Sequence, residues 1–283
     1  MDYAEALSAV QRGYTLDFQN GIGLFRVPML EAYPNLSHGF TARVGGVSAG
    51  PYSSLNLGWS RNEPRENIER NYRLLCGAAG LKYEDLILVS YDHGVQIEAV
   101  NRLSRGRGFS RSPLPLCDGL ITNDPSAALI TLHADCSAIY IYDPVNHAIG
   151  LAHAGWKGVL GRIGSGLVIR MAQEYGSEPS ELIAAVGPLI CGRCFEVDEE
   201  LGNSFIKAFR YQNCCRPGTR PGKLYLNLQD AACIDLLDAG LLPERIAVMD
   251  ACTFEMESML FSHRRDNGKT GAMAAYIQLE KRV

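Results

Sequence analysis

The apolar positions of this chain come in short blocks whose period switches between that of a strand and that of a helix. After a short opening helix, residues 14–18 and 24–27 form two β-like runs around Asn20-Gly21, a pair that favours a tight hairpin turn. Pro64, followed by Glu66, Asn67, Ile68, Asn71, Leu74 and Leu75, predicts a helix with proline in its first turn and Gly80 at its end. Strands are predicted near 86–90 and 95–100. Between Asn101 and Asp118 lies a loop holding Arg102, Arg105, Arg107 and Arg111, read either as a mobile lid or as solvated surface.

Beyond that loop the pattern becomes strand, strand, strand, strand and helix: 119–122, 129–132, 137–142, 147–152, then a glycine-punctuated helix from Gly158 to Tyr175. Helices follow near 198–209 and 229–239, with strands near 183–186, 225–228, 246–249 and 272–278. Interleaving of this kind predicts a layered α+β or mixed α/β fold with sheet in the middle and helices outside.

Composition narrows the class. At 283 residues and 47% hydrophobic, the chain fits one large domain, expected over 1–283. A formal charge of -4 supplies no excess of positive charge for nucleic acid or an anionic membrane, so the expected partner is a small molecule. The start carries acids where a signal peptide carries lysines, and no stretch approaches the roughly 20 apolar residues of a membrane helix. A cytoplasmic protein is expected. Its nine cysteines, odd in number and scattered, argue against a disulfide framework and leave thiols for a metal.

The local chemistry centres on a hairpin. Asp143-Pro144-Val145-Asn146 is a good turn between two β-like runs, and a hairpin centred between Pro144 and Val145 pairs 142 with 147 and 136 with 153. Cys136 and His153 would then face each other with β-carbons roughly 4.5 to 5.5 Å apart, close enough to share a metal. Of the six histidines, His93 is the best candidate for a third ligand, because Gly94 lets the backbone bend there; alone, a loop histidine is unremarkable. After His153, Ala154-Gly155-Trp156-Lys157-Gly158 opens a helix, whose free N–H groups suit an anion such as phosphate; the alternative is that its glycines only permit close packing. Arg43, in the glycine-rich loop 38–48, is a second candidate anion contact or part of a plain turn.

Several segments together carry a resemblance. They are His38-Gly-Phe-Thr-Ala-Arg-Val-Gly-Gly-Val-Ser48, Ser54-Leu-Asn-Leu-Gly58, Ala134-Asp-Cys136, His153-Ala-Gly-Trp-Lys-Gly158, Val186-Gly-Pro188, Cys194-Phe-Glu-Val197 and Phe261-Ser-His-Arg-Arg-Asp266. In this order they resemble the YfiH family, also called the laccase-domain or multicopper polyphenol oxidase family. The resemblance implies a layered sandwich with mixed sheets and metal ligands at His93, Cys136 and His153. It also implies zinc-dependent purine nucleoside phosphorolysis, with adenosine deaminase and methylthioadenosine phosphorylase activities. Three positions depart from the family pattern: Tyr91-Asp92-His93 replaces Gln-Val-His, Thr270-Gly271-Ala272 replaces Thr-Gly-Arg, and Lys157 stands where arginine is frequent.

On this basis Arg43, Lys157 and Gly155 are expected to orient phosphate, and Asp135 and Glu196 to transfer protons or to act as structural hydrogen-bond acceptors. Other readings stay open. One is a copper phenol oxidase, for which six histidines without a His-x-His pair are few, although copper(II) outcompetes zinc for such ligands. Another makes Cys136 a nucleophile with His153 as its base. A third is a structural metal module, where the nearest competitor is Cys191-Gly-Arg-Cys194. The vicinal Cys214-Cys215 pair reads as ordinary packing or surface.

Overall fold

The computed structural model describes residues 2–280. The expected domain over 1–283 therefore includes residue 1 and residues 281–283, which lie outside the described residues. Two large mixed sheets pack face to face. One runs Gln11–Arg12, Ile246–Val248, Ile183–Val186, Ser137–Asp143, Ala148–Ala154, Gly119–Thr122, Ile97–Ala99 in spatial order. The other runs Thr15–Gln19, Ile22–Arg26, Leu36–Thr41, Met273–Leu279, Ala128–His133, Leu86–Leu88. A small antiparallel sheet of Glu196–Asp198, Lys223–Leu226 and Cys215–Pro217 stands apart.

Side-chain alternation explains the layering. Along Ser137–Asp143, Ile139 and Ile141 point outward to Leu167, Met171 and Ile234 of the helices Ile163–Tyr175 and Leu228–Asp238. Tyr140 and Tyr142 point inward, against Leu129, Met273 and Ile277 of the other sheet. Every residue of that strand is buried, so it reads as a continuous apolar run. The helix Arg65–Ala79 covers the far side of the second sheet, with Ile68, Tyr72 and Leu75 against Leu24, Ile130 and Tyr276. The result is helix, sheet, sheet, helix, the layered mixed fold expected. Among the described residues no helix is long and apolar enough to cross a membrane.

The Asn20-Gly21 hairpin forms as expected, both residues taking positive φ (53° and 83°). Two expectations need correction. The helix predicted from Gly158 to Tyr175 is two helices, Trp156–Leu160 and Ile163–Tyr175, broken where Arg162 turns left-handed at φ 66°. Asp235 causes the restart: its Oδ2 accepts the N–H of Gly164 at 2.8 Å and of Ser165 at 3.3 Å, capping the second helix from a distant element.

The second correction concerns the hairpin. Asp143 pairs with Ala148 and His153 with Ala138, so the register is displaced by two residues and Cys136 lies just outside the ladder. Asp143 Oδ1 accepts the N–H groups of Val145 and Asn146, each at 2.9 Å, and His147 goes left-handed at φ 53°, which widens the loop to Pro144 through His147. A shift of two preserves the face, where a shift of one would have reversed it. Cys136 and His153 thus still point between the sheets.

Candidate metal centre

The centre forms at one open end of the sandwich, where strands of both sheets finish. His153 shares the inward face of Ile149 and Leu151, and Cys136 that of Ala138 and Tyr140. His93 arrives on the loop between the Leu86–Leu88 and Ile97–Ala99 strands, its backbone left-handed at φ 65°. A ligand atom from each of His93, Cys136 and His153 lies within 4.8 Å of the other two. The sequence-predicted trio is therefore brought together.

Asp118, which the sequence reading missed, holds this arrangement from behind. Its buried carboxylate meets His153 Nδ1 at 3.1 Å and accepts the backbone N–H of His93 at 3.1 Å and of Gly94 at 2.7 Å. One residue thereby orients one ligand and bends the loop that carries another. Burial alone would raise its pKa, but the His153 ring and the N–H of Gly94 hold it below the usual carboxylate range. The only sequence signal was an acid opening the apolar strand Gly119–Thr122.

Burial also pushes the Cys136 thiol up, yet the His153 and His93 rings outweigh that and bring it to about 7. His153 is displaced the other way: burial lowers it, and the charges of Cys136 and Asp118 raise it to about 9. A substantial fraction of Cys136 is thus thiolate at neutral pH, the form that binds metal. Gly155 supplies the room. A Cβ there would stand 3.0 Å from Cys136 Sγ, 3.3 Å from His93 Cδ2 and 3.8 Å from His153 Cε1. Two imidazoles and a thiolate, converging under a residue that has no side chain, suit zinc.

The trio lies on the wall of a cavity of about 850 Å³. Phe195, Val197, Leu201 and Leu228 supply an apolar side; Arg61, Arg220, Lys223 and Arg264 supply positive charge. Tyr91, at the first departure from the family pattern, packs its ring 4.6 Å from His153 and 5.6 Å from His93. At the second departure, Ala272 lines the cavity beside Arg61: a Cβ on Gly58 would meet Ala272 Cβ at 3.1 Å and Arg61 Cγ at 3.2 Å. The Arg61 Nε is buried and has no hydrogen-bond partner among the described residues.

The remaining candidates are dispersed. Asp135 lines the cavity, but its oxygens already accept Thr253 Oγ1 at 2.6 Å and the Arg264 N–H at 2.7 Å. Glu196 also lines it and is gripped by both the Arg220 guanidinium and Thr219, which lower its pKa to about 2. Arg43 is not on the cavity wall: it donates to the carbonyls of Ser53 and Glu257 and stacks on Phe261. Lys157 is exposed, with Nζ 5.6 Å from the Trp156 ring centre, and Gly155 caps a helix of only 5 residues. His133 is buried, bonded to Thr131 Oγ1 at 2.7 Å and to the Cys136 carbonyl at 3.1 Å. It supports the Cys136 loop.

The chain is similar to known proteins over most of its length. Residues 37–280 match the family described as multi-copper polyphenol oxidoreductase laccase. The purine nucleoside phosphorylase YlmD of Bacillus subtilis is 32% identical over 86% of this chain and 88% of its own length. A purine nucleoside phosphorylase of Deinococcus radiodurans is 38% identical over 90% and 94%. Among solved structures, YlmD from Geobacillus stearothermophilus superposes with a TM-score of 0.86 at 32% identity, covering 92% of this chain and 97% of that one. The YfiH protein of Bacillus licheniformis also gives 0.86, at 30% identity over 94% and 99%. With its layered fold, its matched length and its shared sequence, the chain belongs to the multi-copper polyphenol oxidoreductase laccase family, the YfiH family that its motifs resemble.

Proposed function

We propose that the protein is a zinc-dependent purine nucleoside phosphorylase. The observation that carries this is the convergence of His93, Cys136 and His153 on the wall of a cavity that Arg61 also lines. Three donors facing a cavity are the pattern of a catalytic zinc, whereas structural zinc is closed by four. Zinc bound there supplies Lewis-acid stabilisation of negative charge. The relatives named purine nucleoside phosphorylases point to the same chemistry.

The cavity's own residues account for substrate handling. An 850 Å³ space accommodates a nucleoside and phosphate together. The apolar wall of Phe195, Val197, Leu201 and Leu228 suits the purine, and the guanidinium groups of Arg61 and Arg264 suit phosphate. In phosphorolysis a phosphate oxygen attacks the ribose C1′, and the bond from C1′ to the base breaks. The bonding electron pair leaves with the purine, which takes up a proton. Holding phosphate against C1′ supplies the proximity term, and exclusion of water by the apolar wall keeps hydrolysis from competing. Phosphate contacts thus pass from Arg43 and Lys157 to Arg61 and Arg264. Asp135 and Glu196 act as acceptors that shape the wall. Deamination at purine C6 and phosphorolysis of methylthioadenosine belong to the same proposal.

Incubating zinc-loaded protein with inosine or adenosine and phosphate should release free base and ribose 1-phosphate. Absence of both products would end the proposal. Copper(II) competes for the same donors. Stoichiometric copper with little zinc, in protein purified without added metal, would reverse the choice of ion.

A further inference from the structure

A second group of metal-type side chains lies outside this trio. The parallel strands Ile183–Val186 and Ile246–Val248 run side by side, and the segments that leave them stay together: Leu189 bridges to Cys252, and the Thr253 N–H donates to the Leu189 carbonyl at 3.0 Å. Each segment then makes a turn with donors three residues apart. Cys191-Gly-Arg-Cys194 closes on the Cys191 carbonyl, which accepts the Cys194 N–H at 2.9 Å. Cys252-Thr-Phe-Glu255 closes on the Cys252 carbonyl, which accepts the Met256 N–H at 3.0 Å. The C-x-x-C motif is thus paired with a C-x-x-E some sixty residues on.

Their geometry is that of ligands. The Sγ atoms of Cys191, Cys194 and Cys252 and a Glu255 oxygen all lie within 4.8 Å of one another. Cys191 and Cys194 have their sulfurs 3.7 Å apart, and Cys194 Sγ is 3.5 Å from Glu255 Oε1. Two thiolates at the corners of a zinc tetrahedron with bonds of about 2.3 Å stand ~3.8 Å apart, whereas a disulfide needs about 2.05 Å. Outer contacts fix the set: the Cys191 N–H points at Cys252 Sγ at 3.3 Å, and Arg193 Nη2 donates to Glu255 Oε2 at 2.9 Å.

We propose that Cys191, Cys194, Cys252 and Glu255 bind a second divalent ion of the zinc class, with a structural role. Three thiolates and a carboxylate close the coordination, as structural sites require. The ion staples together the two loops that build one wall of the cavity. Ile190, Phe195 and Glu196 line it from the first loop, and Thr253 of the second holds Asp135, next to Cys136.

The test uses the full chain carrying His93→Ala and Cys136→Ser, so that metal at the first centre cannot contribute and the outcome is independent of the proposed activity. After chelation under reducing conditions, zinc is added back, excess is removed and bound zinc is counted. One equivalent is expected, and cobalt(II) in its place should give an intense thiolate charge-transfer band. Adding Cys191→Ser with Cys194→Ser should abolish both, while the milder Glu255→Gln should keep the fold and weaken zinc binding tenfold or more. No retained zinc in the folded double variant would overturn the proposal. So would a cobalt band indifferent to Cys252→Ser, or zinc affinity unchanged by Glu255→Gln.

Discussion

Asp118 Oδ1 lies 3.1 Å from His153 Nδ1, and the same oxygen receives the backbone N–H of His93. A single buried carboxylate therefore sets the ring orientation of one metal ligand and the loop position of another. Asp118→Asn keeps the shape but loses the charge and turns an N–H₂ group toward donors. Zinc affinity, measured by competition with a chromophoric chelator, should fall about 10- to 100-fold. Affinity equal to the unsubstituted chain would remove Asp118 from the centre.

Arg61→Ala should raise KM for phosphate about tenfold or more, the effect of one charge-assisted hydrogen bond worth roughly 1.5 to 3 kcal/mol. KM for the nucleoside should move less. In the family pattern an arginine enters near position 272; here Ala272 leaves that space and Arg61 stands beside it. Initial rates with each substrate varied in turn make the check. An unchanged KM for phosphate would place the anion elsewhere on the wall.

Parts of this architecture were legible because they are local. The strand Ile183–Val186 and the helix Arg65–Ala79 follow from apolar runs and periodicity with proline and glycine at the ends. The face shared by Cys136 and His153 was legible too, since a two-residue error in the turn leaves the side-chain parity intact. What escaped were carboxylates acting at long range. Asp235 restarts a helix from 70 residues away, and Asp118 gathers two ligands. Neither leaves a periodic trace, because each works through one side chain and a few backbone N–H groups brought near only by the fold. Cys252 and Glu255 were missed for the same reason, their partners lying on another loop.

Glu196 tests whether a carboxylate in the cavity carries a proton. The Arg220 hydrogen bonds, followed by those of Thr219, pull its pKa to about 2, so it stays ionised throughout pH 5 to 9. Glu196→Gln should therefore leave the limbs of the kcat/KM profile in that range where they were. Freeing Arg220 should change KM instead. Loss of either limb would restore Glu196 as a proton carrier.

Gly155→Ala separates the centre from the fold. The Gly155 backbone, at φ -76° and ψ 175°, is open to any residue, so alanine brings no backbone strain. Its methyl would stand 3.0 Å from Cys136 Sγ and 3.3 Å from His93 Cδ2. The metal-free protein should unfold within about 1 kcal/mol of the unsubstituted chain, while zinc bound at this centre falls. Full zinc occupancy with full activity would mean that the ligands yield to the methyl, and the clearance argument would fail.

Acid stability should depend on His38, far from the metal. Burial first, and then the charge of Arg26, push its pKa down from 6.5 to about 3, and its Nε2 accepts the Val27 N–H at 3.0 Å, which requires an unprotonated nitrogen. Between pH 6.5 and 3 the unfolded chain binds a proton there that the folded chain refuses. Stability is therefore complete above pH 6.5 and falls as pH drops toward 3, by up to ~1.4 kcal/mol per pH unit. His38→Gln keeps an acceptor for Val27 but cannot titrate, so its denaturant midpoint should fall less steeply across that window. Parallel slopes for the two proteins would show that His38 takes up its proton without unfolding the sheet.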